Sequence, residues 1–298
     1  MKHPKLQLKQ LIQRWAIDPR SQQLSAAGRQ LDRLGLSLRR LTAPALQPPQ
    51  AAELDAVAQA FPALEGVIYD VGANCGDNLG YYLKRAERVV AIEANPALCA
   101  QMQSRFAAEI AAGRLRVLNT AVSREEGEAS FWIHRQQSVL STLLTPKGAA
   151  GELHAPENFT PLRVATTQLS TLVRQHGAPA YIKIDVEGLD AAVLADLLAH
   201  NIRPPYLSAE CFEIEVFCQL VAAGYPRFKI VEGMQVGHQL QRVSLQLADG
   251  SLTEQSFIAH SAGPFGEDIP MPWIDRQRMF RYLADRPYGW GDLHARRD

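Results

Sequence analysis

The chain is poor in several features that mark particular classes of protein. It has four cysteines in 298 residues and no C-x-x-C pair, which argues against a disulfide framework and a structural zinc site. No apolar run approaches the roughly 18 residues of a membrane span. The N-terminus, MKHPKLQLKQLIQRW, carries charge without the apolar core of a secretory signal. We therefore expect a cytoplasmic protein with reduced thiols.

A net charge is also absent, since 31 Lys and Arg balance 31 Asp and Glu. A protein dedicated to nucleic acid normally has a basic excess, so nucleic acid is a disfavoured partner. The charge is uneven, however: residues 1–41 hold nine Lys and Arg against two Asp. This basic segment could contact an anionic membrane surface, a phosphorylated glycan intermediate or a partner protein, or its basic helix faces could simply be solvated.

Two patterns divide the chain into an N-terminal helical region, 1–60, and a main domain, 61–298. Amphipathic periodicity and a Pro-rich linker, TAPALQPPQ, characterise the first. In the second, short apolar runs alternate with longer amphipathic ones, which predicts an α/β fold with a mostly parallel, Rossmann-like sheet. We expect the late alternating runs, 243–247 and 255–260, to form an antiparallel edge, and the C-terminal tail to pack against that edge.

A glycine-rich turn, YDVGANCGD, lies between the first predicted strand and its helix. Small residues at Gly72, Ala73 and Gly76 allow a sharp turn and close approach of a ligand. Glu93 ends the second strand 21 residues after Gly72, where an α/β nucleotide site places a carboxylate to hold ribose hydroxyls. The alternative is a generic strand–turn–helix with a surface acid.

Asn74 stands where a dinucleotide fingerprint has its second glycine, which disfavours NAD and FAD. A nucleoside without phosphates, such as S-adenosylmethionine, tolerates Asn74, and an acid at Asp70 or Asp77 could face its ammonium group. Ala121 ends the third strand, where such folds usually contact the adenine. The predicted cofactor-binding residues are Asp70, Gly72, Asn74, Gly76, Asp77, Glu93, Asn95 and Ala121.

A second group of acids follows the later strands AYIKIDVEG and YLSAEC. Alternation along the first strand would point Lys183, Asp185 and Glu187 the same way, and Glu210 ends the neighbouring strand. These acids suggest either a general base, with Asp185 and Glu210 ahead of His260, or a clamp for a divalent metal formed by Asp185, Glu187 and Glu210. Alternatively, the first two acids cap the next helix and pair with Lys183.

The segments VIYDVGANCGDNLGYYL, RVVAIEANP, VATTQLSTL, AYIKIDVEGLDAAVL and PPYLSAEC together resemble the FkbM-type methyltransferases over about residues 66–211. Two departures from the family pattern are Gln168 and Ser170 around Leu169, and Asp190 in place of a glutamate. The resemblance implies a class I methyltransferase sheet that uses S-adenosylmethionine to O-methylate a hydroxyl of a sugar, glycan or secondary metabolite. A nucleic-acid methyltransferase and a catalytically degenerate binding module are the alternatives.

Overall fold

The computed structural model describes residues 64–146, 155–211, 214–233, 236, 240–247, 249–258, 261–285 and 291–297. The basic N-terminal region, the predicted domain boundary at residue 61 and the candidate base His260 lie outside these ranges. Within them, no helix is both long enough and apolar enough to cross a membrane.

Up to residue 232, helices and strands follow the order that the hydrophobic pattern predicts, whereas the two strands and the helix of the C-terminal tail, residues 274–296, are not predicted by that pattern. The strands are β1 (Leu64–Val71), β2 (Ala86–Glu93), β3 (Leu115–Asn119), β4 (Ala121–Val122), β5 (Gly127–His134), β6 (Phe159–Thr167), β7 (Pro179–Ile184), β8 (Tyr206–Glu210), β9 (Arg227–Glu232), β10 (Arg242–Gln246), β11 (Leu252–Ser256), β12 (Ile274–Asp275) and β13 (Gly291–Arg296). The helices are α1 (Leu79–Arg85), α2 (Pro96–Arg105), α3 (Ala107–Ala111), α4 (Leu169–His176), α5 (Asp190–Ala199), α6 (Ile214–Ala222) and α7 (Arg276–Asp285). α2 and α3 are separate helices, because Phe106 between them leaves the helical region at φ −114°, ψ 30°.

Eight strands form the main sheet, in the order β12–β9–β13–β8–β7–β1–β2–β3. β1 pairs in parallel with β2 and β7, and parallel pairing continues to β3 and to β8. Val67–Val71 in β1 are all buried, as expected of a central strand covered on both faces. This largely parallel sheet confirms the predicted Rossmann-like α/β fold class.

The C-terminal strand β13 lies inside the sheet. It runs antiparallel to β8 and to β9, with Asp292 opposite Glu210 and Leu293 opposite Ile230. The expectation that the tail packs against the sheet edge is therefore wrong for this segment. Its sequence, GDLHAR, has no apolar run to indicate a central position, yet five of its six residues are buried, because β8 and β9 pair with it on both sides.

The two late alternating runs form a separate hairpin. β10 and β11 pair antiparallel with each other and do not join the main sheet. Val243 and Leu245 are buried in the same apolar cluster as Tyr81 of α1. Because the hairpin packs on that cluster, it does not form the edge of the main sheet. The antiparallel edge strand is instead β12, which pairs with β9 over two residues.

Side chains of the central strands enter two apolar clusters, one on each face of the sheet. Tyr69 and Ile184 belong to the first cluster, with residues of α4, α5, α6 and α7. Ile68 and Tyr181 belong to the second, with α1 and Phe265, and the ring of Tyr181 stacks on that of Phe265 with centroids 3.9 Å apart. Because both faces of the sheet are buried, the strands are held in place, and so are the residues that follow their ends.

Candidate functional site

The carboxyl ends of the parallel strands are level with one another. Val71, near the turn after β1, lies opposite Ile92 of β2 and Ile184 of β7. The polar residues that follow these strands therefore meet at one edge of the sheet, where open α/β sheets bind ligands.

The turn after β1 is held tightly to both neighbouring strands. The backbone N–H groups of Gly72 and Ala73 donate to the carbonyl oxygen of Ile92, each at 3.0 Å. Gly72 has φ +78°, and a Cβ there would lie 1.7 Å from the carbonyl oxygen of Asp185. Asn74, with φ 49°, also adopts the left-handed conformation. The sharp turn predicted from the small residues is therefore present, and Gly72 is required for it.

A cleft of about 1080 Å³, part of it open to solvent, lies over this turn. That volume accommodates a nucleoside-sized ligand. Both polar and apolar side chains face it. Its lining residues include Asp70, Gly72, Asn74, Asp77, Glu93, Ala121, Phe131, Ser138, Leu143, Lys183, Asp185, Glu187 and Ser261.

Glu93 is buried at the end of β2 with both carboxylate oxygens engaged. Oε2 accepts a hydrogen bond from the Asn74 N–H and Oε1 from the Asn95 N–H, each at 2.8 Å. Burial raises the pKa of Glu93, and the two backbone hydrogen bonds oppose that rise. The carboxylate thus fixes the turn while it faces the cleft, which is the position predicted for a ribose-binding acid.

Lys183 links the turn to the second group of acids. Its Nζ lies 3.0 Å from Asp185 Oδ2 and 3.6 Å from Asp70 Oδ1, and donates to the Gly72 carbonyl oxygen at 3.2 Å. Burial opposes the charge on Lys183, but the Asp185 and Asp70 carboxylates outweigh it and raise the pKa of the amine. Lys183 therefore remains a cation between two carboxylates.

The connection after β5 covers part of the cleft. Within it, Ser138 Oγ donates to Asn74 Oδ1 at 2.9 Å, and Thr142 Oγ1 donates to the Glu187 carbonyl oxygen at 2.8 Å. Ser141 lines the cleft. The loop around Ser141 and Thr142 therefore bridges the glycine-rich turn and the second group of acids, rather than standing free in solvent.

Asp185, Glu187 and Glu210, here called the acid cluster, come together as the sequence predicts. One carboxylate oxygen from each lies within 4.8 Å of the other two. Burial, followed by the charge of Asp185, raises the pKa of Glu187 to about 9 and that of Glu210 to about 11. The same two causes raise the pKa of Asp292 on β13 to about 8. The crowding of these carboxyl groups therefore opposes their ionisation unless a cation lies among them.

The route by which the acids converge differs from the one expected. β7 ends at Ile184, so strand alternation does not relate Asp185 to Glu187. Glu187 instead has φ 48°, which returns its side chain to the cluster. The turn N–H groups of Val186 and Gly188 donate to Asp190, at 3.1 and 3.2 Å. Asp190 thus holds the turn before α5, and the N-cap residue Leu189 has no side-chain cap, so the alternative that Asp185 and Glu187 cap this helix is not seen.

Two predicted cofactor residues do not line the cleft. Gly76, with φ +72°, is packed so that a Cβ would lie 2.7 Å from Leu79 Cδ1. Asn95 caps α2, where its Oδ1 accepts from the Ala97 N–H at 3.0 Å. Their visible contacts are therefore those that shape the turn and the helix start. Asp77 lines the cleft and lies 3.7 Å from the guanidinium of Arg105.

Sequence reasoning did not assign Lys183, Asp292, Phe131 or Ser138 to the site. The spacing of two residues between Lys183 and Asp185 could have indicated that Lys183 belongs to the site. Asp292 reaches the acids only through the insertion of β13, and Phe131 and Ser138 only through the smaller sheet β4–β6–β5. No local sequence pattern predicts that these three residues reach the site.

Comparison with known proteins identifies the relatives of this fold and cleft. Residues 70–218, from the first acid of the turn to α6, match the model of the methyltransferase FkbM domain. The chain belongs to the FkbM methyltransferase family. The match spans the cleft and the acid cluster, which confirms the resemblance seen in the sequence. No curated protein matches the chain.

Solved structures with a similar arrangement of elements are distant from this FkbM chain. The methyltransferase FkbM of Methylobacillus flagellatus is 16% identical with a TM-score of 0.39, and the match covers 59% of this chain and 41% of that one. A SAM-dependent O-methyltransferase of Thermotoga maritima is 11% identical with a TM-score of 0.33, covering 85% and 69%. A precorrin-6y C5,15-methyltransferase of Geobacter metallireducens is 8% identical with a TM-score of 0.37, covering 83% and 87%.

The cofactor of the FkbM family is S-adenosylmethionine, and the cleft fits it. A buried carboxylate, Glu93, lies at the end of β2 as a ribose site requires. Asp70 is 2% exposed, and its Oδ1 lies 3.6 Å from Lys183 Nζ without a hydrogen bond within the described residues, so an ammonium group of the cofactor would share this carboxylate with Lys183. Ala121, Phe131 and Leu143 supply apolar surface for a base. The residues present are therefore compatible with each part of the cofactor.

Proposed function

We propose that this FkbM family member transfers a methyl group from S-adenosylmethionine to a hydroxyl of a sugar, glycan or secondary metabolite. The observation that carries the proposal is that one cleft contains both Glu93, suited to a nucleoside, and Asp185, suited to accept a proton. Methyl transfer to an alcohol needs both functions within one reaction space, because the donor must be aligned with an oxygen that loses its proton.

In this proposal the residues of the turn hold the cofactor. Glu93 accepts hydrogen bonds from the ribose hydroxyls, and Asp70 or Asp77 faces the ammonium group. Phe131, with Ala121, contacts the adenine. S-adenosylmethionine, when bound, supplies an electrophilic methyl group on a sulfonium sulfur. The chain itself contributes orientation and exclusion of water, which come from the turn and from the covering loop around Ser138.

Asp185 is the base that the contacts favour. Its side chain is 34% exposed, lines the cleft, and forms an ion pair through Oδ2 with Lys183 Nζ at 3.0 Å. Glu210, the second candidate, is 8% exposed and does not line the cleft, so it is poorly placed to accept a proton from the acceptor. The acceptor oxygen bonds to the methyl carbon as the carbon–sulfur bond breaks, its proton passes to Asp185, and S-adenosylhomocysteine remains.

A small-molecule or glycan acceptor suits this charge distribution better than a nucleic acid. The acid cluster lies next to the cleft, and Asp190 and Asp292 are buried close to it. Phosphates of a nucleic acid would be repelled there. A neutral polyol carries no such penalty and offers hydroxyl groups to the carboxylates.

Methyl transfer from labelled S-adenosylmethionine to a panel of sugars and hydroxylated metabolites tests this function. We expect Asp185→Asn to lower turnover by about 10²–10⁴-fold while binding of S-adenosylhomocysteine is retained. Asp249→Asn, an exposed residue of the β10–β11 turn that does not line the cleft, is the matched control. Failure of the wild type to bind S-adenosylhomocysteine would refute the proposal, and full activity of Asp185→Asn would refute the assigned base.

A further inference from the structure

The acid cluster holds more negative groups than its visible partners balance. Lys183 forms an ion pair with Asp185, but in the described part of the chain no ion pair reaches Glu187 or Glu210. Asp190 and Asp292 are close enough to add to the negative potential at Glu210, and they are 5% and 4% exposed. Buried charges are ordinarily paired or bound to a metal, so this group calls for a counter-charge.

Glu210 provides a second and independent indication of a ligand. Its residue is 8% exposed, and its Oε2 has no hydrogen-bond partner among the described residues. One of its carboxylate oxygens nevertheless lies in the cluster with oxygens of Asp185 and Glu187. A buried acceptor without a donor costs stability, and a cation at the cluster removes that cost.

The spacing of the oxygens suits a single hard cation. Three oxygens that lie within 4.8 Å of one another are at most about 2.8 Å from a common centre. Inward movement of each oxygen by about 0.2–0.5 Å therefore reaches the ligand distance of Ca²⁺, and movement by about 0.7 Å reaches that of Mg²⁺. Three carboxylates are hard donors that favour Mg²⁺, Mn²⁺ or Ca²⁺ over softer metals.

We propose that Asp185, Glu187 and Glu210 bind one divalent cation at the edge of the cofactor cleft, and that this cation orients the hydroxyl oxygen of the acceptor. The orienting role rests on the proposed function. Asp185 and Glu187 line the cleft, so an ion held by them faces the space where the acceptor must lie. A cation held there would make the hydroxyl of a bound alcohol more acidic, and the Asp185 oxygen that does not bind the ion would accept the proton.

Binding of Mn²⁺ alone to the chelator-treated full-length protein tests the site, with electron paramagnetic resonance of free Mn²⁺ as the readout. The wild type is expected to bind one Mn²⁺ per chain. Glu210→Gln keeps the size of the side chain and removes its charge, and should weaken binding at least about tenfold. Glu215→Gln, the same change at an exposed residue of α6, should leave binding unchanged.

Two further measurements separate the possible outcomes. Thermal unfolding shows whether Glu210→Gln folds, and Glu187→Gln, at a less buried ligand, replaces it if it does not. Calorimetry with S-adenosylhomocysteine on every variant tests the cofactor site independently of the metal. Absence of Mn²⁺ binding by a wild type that binds S-adenosylhomocysteine would overturn the cation site alone, as would equal Mn²⁺ affinity in the wild type and both glutamine variants. Absence of S-adenosylhomocysteine binding would overturn the proposed function, whatever Mn²⁺ does.

Discussion

Replacing Glu93 by glutamine separates the two functions that its carboxylate combines. The carboxylate accepts two backbone hydrogen bonds at 2.8 Å, and in the proposed function it also accepts from the ribose. The amide of glutamine has one oxygen, so either the Asn74 or the Asn95 N–H loses its acceptor. A hydrogen bond to a charged group contributes about 1.5–3 kcal/mol. Since about 1.4 kcal/mol is tenfold in affinity, we expect S-adenosylhomocysteine to bind about 10- to 150-fold more weakly.

Isothermal titration calorimetry of the wild type and the variant measures this loss directly. Glu87→Gln is the matched control, because Glu87 lies on the same strand but is exposed, and its affinity should be unchanged. Thermal unfolding, recorded without ligand, reports the separate structural cost of the unpaired N–H, about 1–3 kcal/mol. Affinity of a folded Glu93→Gln protein within about twofold of the wild type would show that Glu93 holds the turn but does not bind the cofactor.

Three other substitutions test the packing around the site. Gly72→Ala should abolish cofactor binding and lower the unfolding temperature, because its Cβ would lie 1.7 Å from the Asp185 carbonyl oxygen. The control is Gly80→Ala, which has open space around it and should instead stabilise α1 by about 0.5–1 kcal/mol. Tyr81→Phe removes a buried hydroxyl that bridges to the segment after β11, and should lower the free energy of unfolding in urea by about 1–3 kcal/mol. Burial lowers the pKa of Lys229 to about 8. Between pH 8 and 10 the unfolded chain therefore holds a proton that the folded chain lacks, so the free energy of unfolding should rise with pH. We expect a rise of up to about 1.4 kcal/mol per pH unit, measured relative to Lys229→Met.

Each of these substitutions has a result that contradicts its reasoning. Normal ligand affinity in Gly72→Ala would mean that the turn relaxes away from β7. Unchanged urea unfolding of Tyr81→Phe would mean that its hydroxyl bonds make no net contribution. Parallel pH profiles for the wild type and Lys229→Met would show that the lysine keeps its ordinary pKa in the folded protein.

Those parts of the site that depend on strand order could be predicted from the sequence. Glu93 follows the turn by a fixed spacing, and its strand lies next to β1. Asp185 and Glu210 converge because parallel neighbouring strands place their carboxyl ends at one edge. In both cases a local pattern and a general rule of α/β sheets suffice.

Contacts that depend on register or on distant pairing could not be predicted in this way. Lys183 meets Asp70 because the two residues lie opposite each other in β1 and β7, and a shift by one residue would separate them. Asp292 reaches the acids only because β13 pairs with β8. Strand alternation also placed Glu187 correctly for the wrong reason, since its position depends on a left-handed backbone.

The position of β13 has a consequence for how the protein is made. β13 lies between β8 and β9 in the sheet but is synthesised after both of them. It begins about 60 residues after β9 ends. At about 5–20 residues per second, β9 keeps an open edge for about 3–12 s, and β8, which ends about 80 residues before β13 begins, for about 4–16 s. Unpaired edges can pair with other chains, and these two edges are open in the nascent protein but covered in the finished one. Asp292 lies on β13, opposite Glu210. Pairing of β13 with β8 and β9 therefore completes the sheet and brings Asp292 to the other acids in the same step.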